Sequence, residues 1–109
     1  MIYQVRMLSP ANLDFAAILE WLGNHSVAGA NRWVDAFEAA CTTIAQDPLQ
    51  QPFAPEDERV GFDVRHMLFG TKRGKRYRIL FRVVNDEVQI LRLRGPGQVI
   101  LTAQELRIG

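Results

Sequence analysis

The sequence predicts an α+β fold: an N-terminal strand, an antiparallel helical hairpin, then a three-strand antiparallel meander, with the helices packed on one face of the sheet. Two observations predict it. Apolar residues recur with a helical period up to Ile44, and from about Asp63 they alternate. In addition, a helical hairpin cannot bury its apolar stripe alone and needs the apolar face of the sheet.

Residues 2–8 alternate, with Tyr3, Val5 and Met7 on one side and Gln4 and Arg6 on the other, as in a half-buried strand. Ser9-Pro10 then opens a helix, with serine as the cap and proline suited to the first helical position. Leu13, Ala17 and Trp21 make one stripe, with Phe15, Ile18 and Leu22 beside it, and the helix is expected to end near Gly23. A second helix follows Ser26. Its face is Ala30, Trp33, Val34, Phe37, Ala40, Cys41 and Ile44, a 3.6-residue pattern. Asp47-Pro48 stops it, because proline disfavours helical geometry in the residue before it.

Residues 48–62 read as a loop with three prolines and the acidic run Glu56-Asp57-Glu58. Residues 63–69, 76–84 and 87–94 read as strands, joined by a tip at Gly70–Lys75 and a tight turn at Asn85-Asp86. Tyr77, Ile79, Phe81 and Val83 share one face, which leaves Arg78 and Arg82 to point from the other into solvent. Gly95-Pro96-Gly97 ends the last strand. Val99-Ile100-Leu101 docks on the sheet or awaits a partner, and Thr102–Glu105 has the spacing of a capping box.

At 109 residues, 48% of them hydrophobic, the chain is long enough to bury a core without staples, and we expect a single domain over 1–109. The lone cysteine, Cys41, excludes an internal disulfide, and no apolar run approaches a membrane span. The start of the chain lacks the basic head and apolar stretch of a signal peptide, so we expect a cytoplasmic protein with no membrane contact.

The net charge of +1 hides a split. Residues 1–62 hold three basic and eight acidic side chains, and residues 63–109 hold ten basic and four acidic ones. Opposed halves of this kind suit a surface that meets an anion. Arg65, Arg78, Arg82, Arg92 and Arg94 fall on strands, while Lys72, Arg73, Lys75 and Arg76 crowd one hairpin tip. A guanidinium fork matches phosphate or carboxylate with two hydrogen bonds. Cross-strand ion pairs account for these arginines less well, since only Asp63, Asp86 and Glu87 lie in the same segment. His25 and His66 have no ligand-like neighbours, and we expect no metal and no cofactor. Cys41, Trp21 and Trp33 sit on apolar stripes and read as packing residues.

The element order and the runs Val64-Arg65-His66-Met67-Leu68, Tyr77-Arg78-Ile79-Leu80-Phe81 and Val88-Gln89-Ile90-Leu91-Arg92-Leu93 resemble the RelE/ParE toxin family over nearly the whole chain. The resemblance implies the toxin of a bacterial type II toxin–antitoxin system, with growth inhibition, plasmid stabilisation and a small cognate antitoxin as its partner. Some members cut mRNA on the ribosome; others inhibit DNA gyrase. Arg78 matches the arginine after the strand tyrosine, and Arg65 matches a basic residue of the nuclease members. These two are the catalytic candidates only if the protein is a nuclease, and in either case they are expected to form one anion-binding patch. Arg82, Arg94, Lys72, Arg73, Lys75 and Arg76 are the candidates for binding nucleic acid or another target.

Three features depart from the nuclease pattern. Met67 replaces a second basic residue, no tyrosine follows Tyr77, and no basic residue lies between Arg94 and Arg107. Arginine is effectively always protonated and glutamine transfers no proton at neutral pH. The sequence therefore ranks a binding toxin of the gyrase-directed kind first, a ribosome-dependent mRNA endonuclease second, and a non-toxic basic binding module third.

Overall fold

The computed structural model describes residues 2–106, so Arg107 of the basic half lies outside the described residues. β1 (Gln4–Met7) leads into α1 (Ser9–His25) and α2 (Val27–Gln46). After two short 3-10 turns come β2 (Arg65–Phe69), β3 (Tyr77–Val84) and β4 (Glu87–Arg94). The strands form one sheet in the order β1-β4-β3-β2. β2, β3 and β4 make the expected antiparallel meander, and β1 runs parallel to β4 along its open edge. The sheet is therefore mixed. Two helices in succession carry the chain across one face and back, which lets the first strand pair with the last in the same direction.

The main core lies between that face and the helices. α2 presents Ala30, Trp33, Phe37, Ala40 and Ile44, all buried, at helical spacing. They meet Phe69 from β2, Ile79 and Phe81 from β3, and Val88, Ile90 and Leu93 from β4. Phe15, Trp33, Phe37, Phe69 and Tyr77 form an aromatic cluster with neighbouring centroids 5.1–6.0 Å apart.

α1 uses only one of its two stripes. Ala11, Phe15, Ile18 and Leu22 pack inward, whereas Leu13 is 72% exposed and Trp21 57% exposed. Trp21 is thus not the packing anchor its stripe suggested. Two adjacent apolar stripes cannot both face α2 and the sheet, and Phe15 fixes the choice by packing its ring, tilted, against Trp33 and Phe37. The helix also continues through Gly23 to His25. Ser26, in extended backbone, ends it and caps α2 by accepting the Gly29 N–H at 2.9 Å. Ser9 makes no capping bond, because it lies one residue inside the helix.

The far face of the sheet is not open, contrary to expectation. The segment between α2 and β2 and the C-terminal tail fold over it and enclose a second core of Ala54, Val64, Leu80, Leu91, Leu101 and Leu106. A bulge opposite Leu80/Phe81 makes this possible. Leu80 pairs with Arg92 and Phe81 with Ile90, so Leu91 is the extra residue, and Ile90 and Leu91 pack in different cores. The acidic loop is tied down by Val64 N–H donating to Asp57 Oδ1 at 2.7 Å and by Ala54 N–H donating to Val64 O. In the tail, Leu101 docks on the sheet while Val99 stays exposed. The capping box closes as a single turn, with Glu105 N–H on Thr102 Oγ1 and Thr102 N–H on Glu105 Oε1.

Candidate functional site

Strand pleating decides which arginines can act together. On β2, Arg65 has the same parity as Met67 and Phe69 and stands opposite Phe81. Arg78 stands opposite Leu68, on the other parity. The two therefore leave the sheet on different sides and do not form one anion-binding patch. Arg65 Nη1 donates to Gln51 O at 2.7 Å, and its guanidinium lies 4.2 Å from the centroid of the Phe53 ring.

Arg78 is held by a carboxylate of the protein itself. Its Nη2 and Nη1 donate to Glu56 Oε2 and Oε1 at 2.8 and 3.0 Å, a two-pronged ion pair. Glu56 is fully buried under the tail and also accepts the Leu101 N–H at 3.1 Å. Burial alone would raise the Glu56 pKa. The hydrogen bonds from Arg78 and Leu101, together with the Arg78 charge, outweigh it and hold the carboxyl below its ordinary range.

His66 Nδ1 lies 3.3 Å from Arg78 Nη1. Arginine only donates, so Nδ1 accepts and the ring proton sits on Nε2. Burial lowers the His66 pKa and the Arg78 charge lowers it further, against an opposing pull from Glu56. The imidazole is therefore neutral at pH 7. Tyr77 is turned into the aromatic cluster, and burial raises its pKa.

The other strand arginines are also engaged. Arg94 is buried and donates from Nη2 to Val99 O at 2.8 Å, while its Nε has no partner among the described residues. Arg92 grips Asp14 of α1 through Nε at 2.7 Å and Nη2 at 3.0 Å, and Asp14 also accepts the Leu93 N–H. Arg82 donates to Gln89 Oε1 at 2.8 Å and lies over the Phe62 ring. Ion pairs thus occupy Arg78 and Arg92, but they are not the cross-strand pairs weighed from the sequence. Their partners, Glu56 and Asp14, lie outside the strand segment, 22 and 78 residues away. Position in the acidic run was the only signal for Glu56; nothing singled out Asp14.

Lys72, Arg73, Lys75 and Arg76 are different. All four are exposed on the hairpin tip and make no hydrogen bond or ion pair among the described residues. The tip closes tightly: a Cβ on Gly70 would meet Lys75 O at 2.7 Å, so only glycine fits there. Beside the tip lies a groove of about 1180 Å³, between the far end of α1, the start of α2 and the end of β4. Its lining combines exposed Trp21 with Ile18, Leu22, Trp33 and Tyr77.

No group of three or more potential metal ligands occurs among the described residues, and no helix of the described chain is long and apolar enough to cross a membrane. A family model described as the ParE toxin of the type II toxin–antitoxin system, parDE, matches residues 5–99. No curated protein matches the chain.

Proposed function

This chain belongs to the ParE toxin family of type II toxin–antitoxin systems, and we propose that it acts by binding and poisoning a cellular target, with DNA gyrase as the family precedent, rather than by cutting RNA. The observation that carries this reading is the Arg78–Glu56 pair. A nuclease of this family would use Arg78 to steady the charge that builds on phosphate in the transition state. Here its fork already holds a buried carboxylate, and Arg65 leaves the sheet on the other side. The second core covers the same face. Tyr77, the only tyrosine on these strands, packs in the aromatic cluster.

The contacts to the target then fall to cations that no internal partner holds, Lys72, Arg73, Lys75 and Arg76 at the tip. Arg82, a half-buried residue that donates to Gln89, stands as a secondary candidate on the far face. A second reading, a ribosome-dependent endonuclease, draws support from one contact: neutral His66 lies beside Arg78, and its Nδ1 could take a proton once the Arg78 fork turned from it to a phosphate.

The test is a gyrase supercoiling assay with the purified protein. Loss of supercoiling at protein concentrations near that of gyrase, weakened by charge reversal at the tip and retained in Arg78→Lys, supports the reading. Undisturbed gyrase activity together with growth arrest in cells overturns gyrase as the target.

A further inference from the structure

The groove beside the hairpin tip gathers hydrogen-bond donors and offers them no acceptor of its own. Arg32 of α2 and Lys72, Arg73 and Lys75 of the tip line it, and none of the four makes a side-chain hydrogen bond or ion pair among the described residues. Trp33 is 3% exposed, and its indole N–H has no partner among the described residues. Folded chains pair nearly all such buried donors, so an unused one in a groove wall points to an occupant that supplies the acceptor. The N-terminal end of α2 opens on the same groove and adds its partial positive charge. No described lining residue is acidic. The matching occupant is therefore rich in acceptor oxygens and carries several negative charges, as a chain of phosphates does.

The groove also holds one open aromatic surface. Trp21 lines it and is 57% exposed. His25 packs against the indole, 4.2 Å between centroids, which leaves one ring face to receive one flat partner. Beyond Trp21 the wall is aliphatic, with Ile18 and Leu22. A nucleic-acid strand would need a succession of stacking surfaces along a basic track, and here there is one. The volume of about 1180 Å³ suits a single small molecule.

We propose that this groove is a binding site for a free nucleoside polyphosphate. The base stacks on the open face of Trp21, and the phosphate chain lies against Arg32 and the three tip cations. The Trp33 N–H gains an acceptor when the ligand is seated. The site stands whether the toxin poisons gyrase or cuts RNA.

The test is calorimetric titration of the intact protein with ATP, inorganic tripolyphosphate and adenosine, without divalent cations. ATP is expected to bind saturably, one per chain, and at least about tenfold more tightly than either fragment, because charge and stacking act together. The triple variant R32E/K72E/K75E, changed only at exposed sites, should bind ATP at least about tenfold more weakly. Trp21→Ala should bring ATP down to the level of tripolyphosphate and leave tripolyphosphate itself unchanged. In the parent protein the two tryptophans give two indole N–H signals in an NMR spectrum, assigned with Trp21→Phe, and both should move on adding ATP. The proposal is overturned if ATP does not saturate, if both indole signals stay in place, if tripolyphosphate binds as tightly as ATP, or if Trp21→Ala keeps the preference for ATP. It is also overturned if a trinucleotide without terminal phosphates binds more tightly than ATP, which would make the groove a nucleic-acid site.

Discussion

Removing the Glu56 carboxylate would leave the Arg78 side chain, 17% exposed, with only His66 beside its guanidinium, and would orphan the Leu101 N–H. Breaking one side of a buried pair costs far more than the pair contributes over an apolar replacement. We predict that Glu56→Ala lowers unfolding free energy by about 2–4 kcal/mol in urea titrations. A variant as stable as the parent would contradict the assignment of Glu56 as a structural anchor. The same cluster sets an acid limit. Both pKa values are depressed in the folded state, so the unfolded chain binds protons more readily and stability falls as pH falls. The His66 share begins to be lost below its ordinary value of 6.5, and the Glu56 share below 4.5. Urea midpoints measured across pH 7.5 to 3.5 (about one point per half unit) should show both declines, and His66→Gln should lack the first. A flat profile in the parent protein would contradict the account.

At the scale of elements, α1 is fastened to β4 by a single aspartate. Asp14 holds the Arg92 fork and the Leu93 N–H at once, so Asp14→Ala removes three hydrogen bonds. The expected loss is about 1–3 kcal/mol in thermal unfolding, since the pair is partly solvated; an unchanged midpoint would show that packing alone seats the helix. α2 and the three-strand meander were legible in the sequence because each has one dominant period. α1 was legible as a helix but not in its orientation, since it carries two apolar stripes and the pattern alone cannot say which meets Phe37. The parallel pairing of β1 was not legible, because alternation gives faces and not neighbours. Nor were the partners of Arg78 and Arg92, which come from a loop and a helix brought close only by the fold. The second core escaped for a related reason: Leu91 reaches it through a bulge, and a bulge breaks the alternation by which strands are read.

Taken whole, the molecule separates its basic residues by role. Those on the sheet are spent on internal contacts: Arg78 and Arg94 hold the acidic loop and the tail over the far face and Arg92 holds α1, whereas those on the tip have no internal partner among the described residues. The tail is therefore part of the folded unit. Leu101→Ala should cost about 2–4 kcal/mol, as a fully buried leucine in a small core, with a single cooperative transition by circular dichroism; a mutation without effect would mean that the second core adds nothing. Under the function proposed above, toxicity comes from binding and not from RNA cleavage. That is tested most directly by inducing the protein in a bacterial host and sequencing mRNA 5′ ends shortly afterwards. Growth arrest without new ends in phase with codons is the expected result. New codon-phased ends that disappear in His66→Gln would contradict it and establish a ribosome-dependent nuclease.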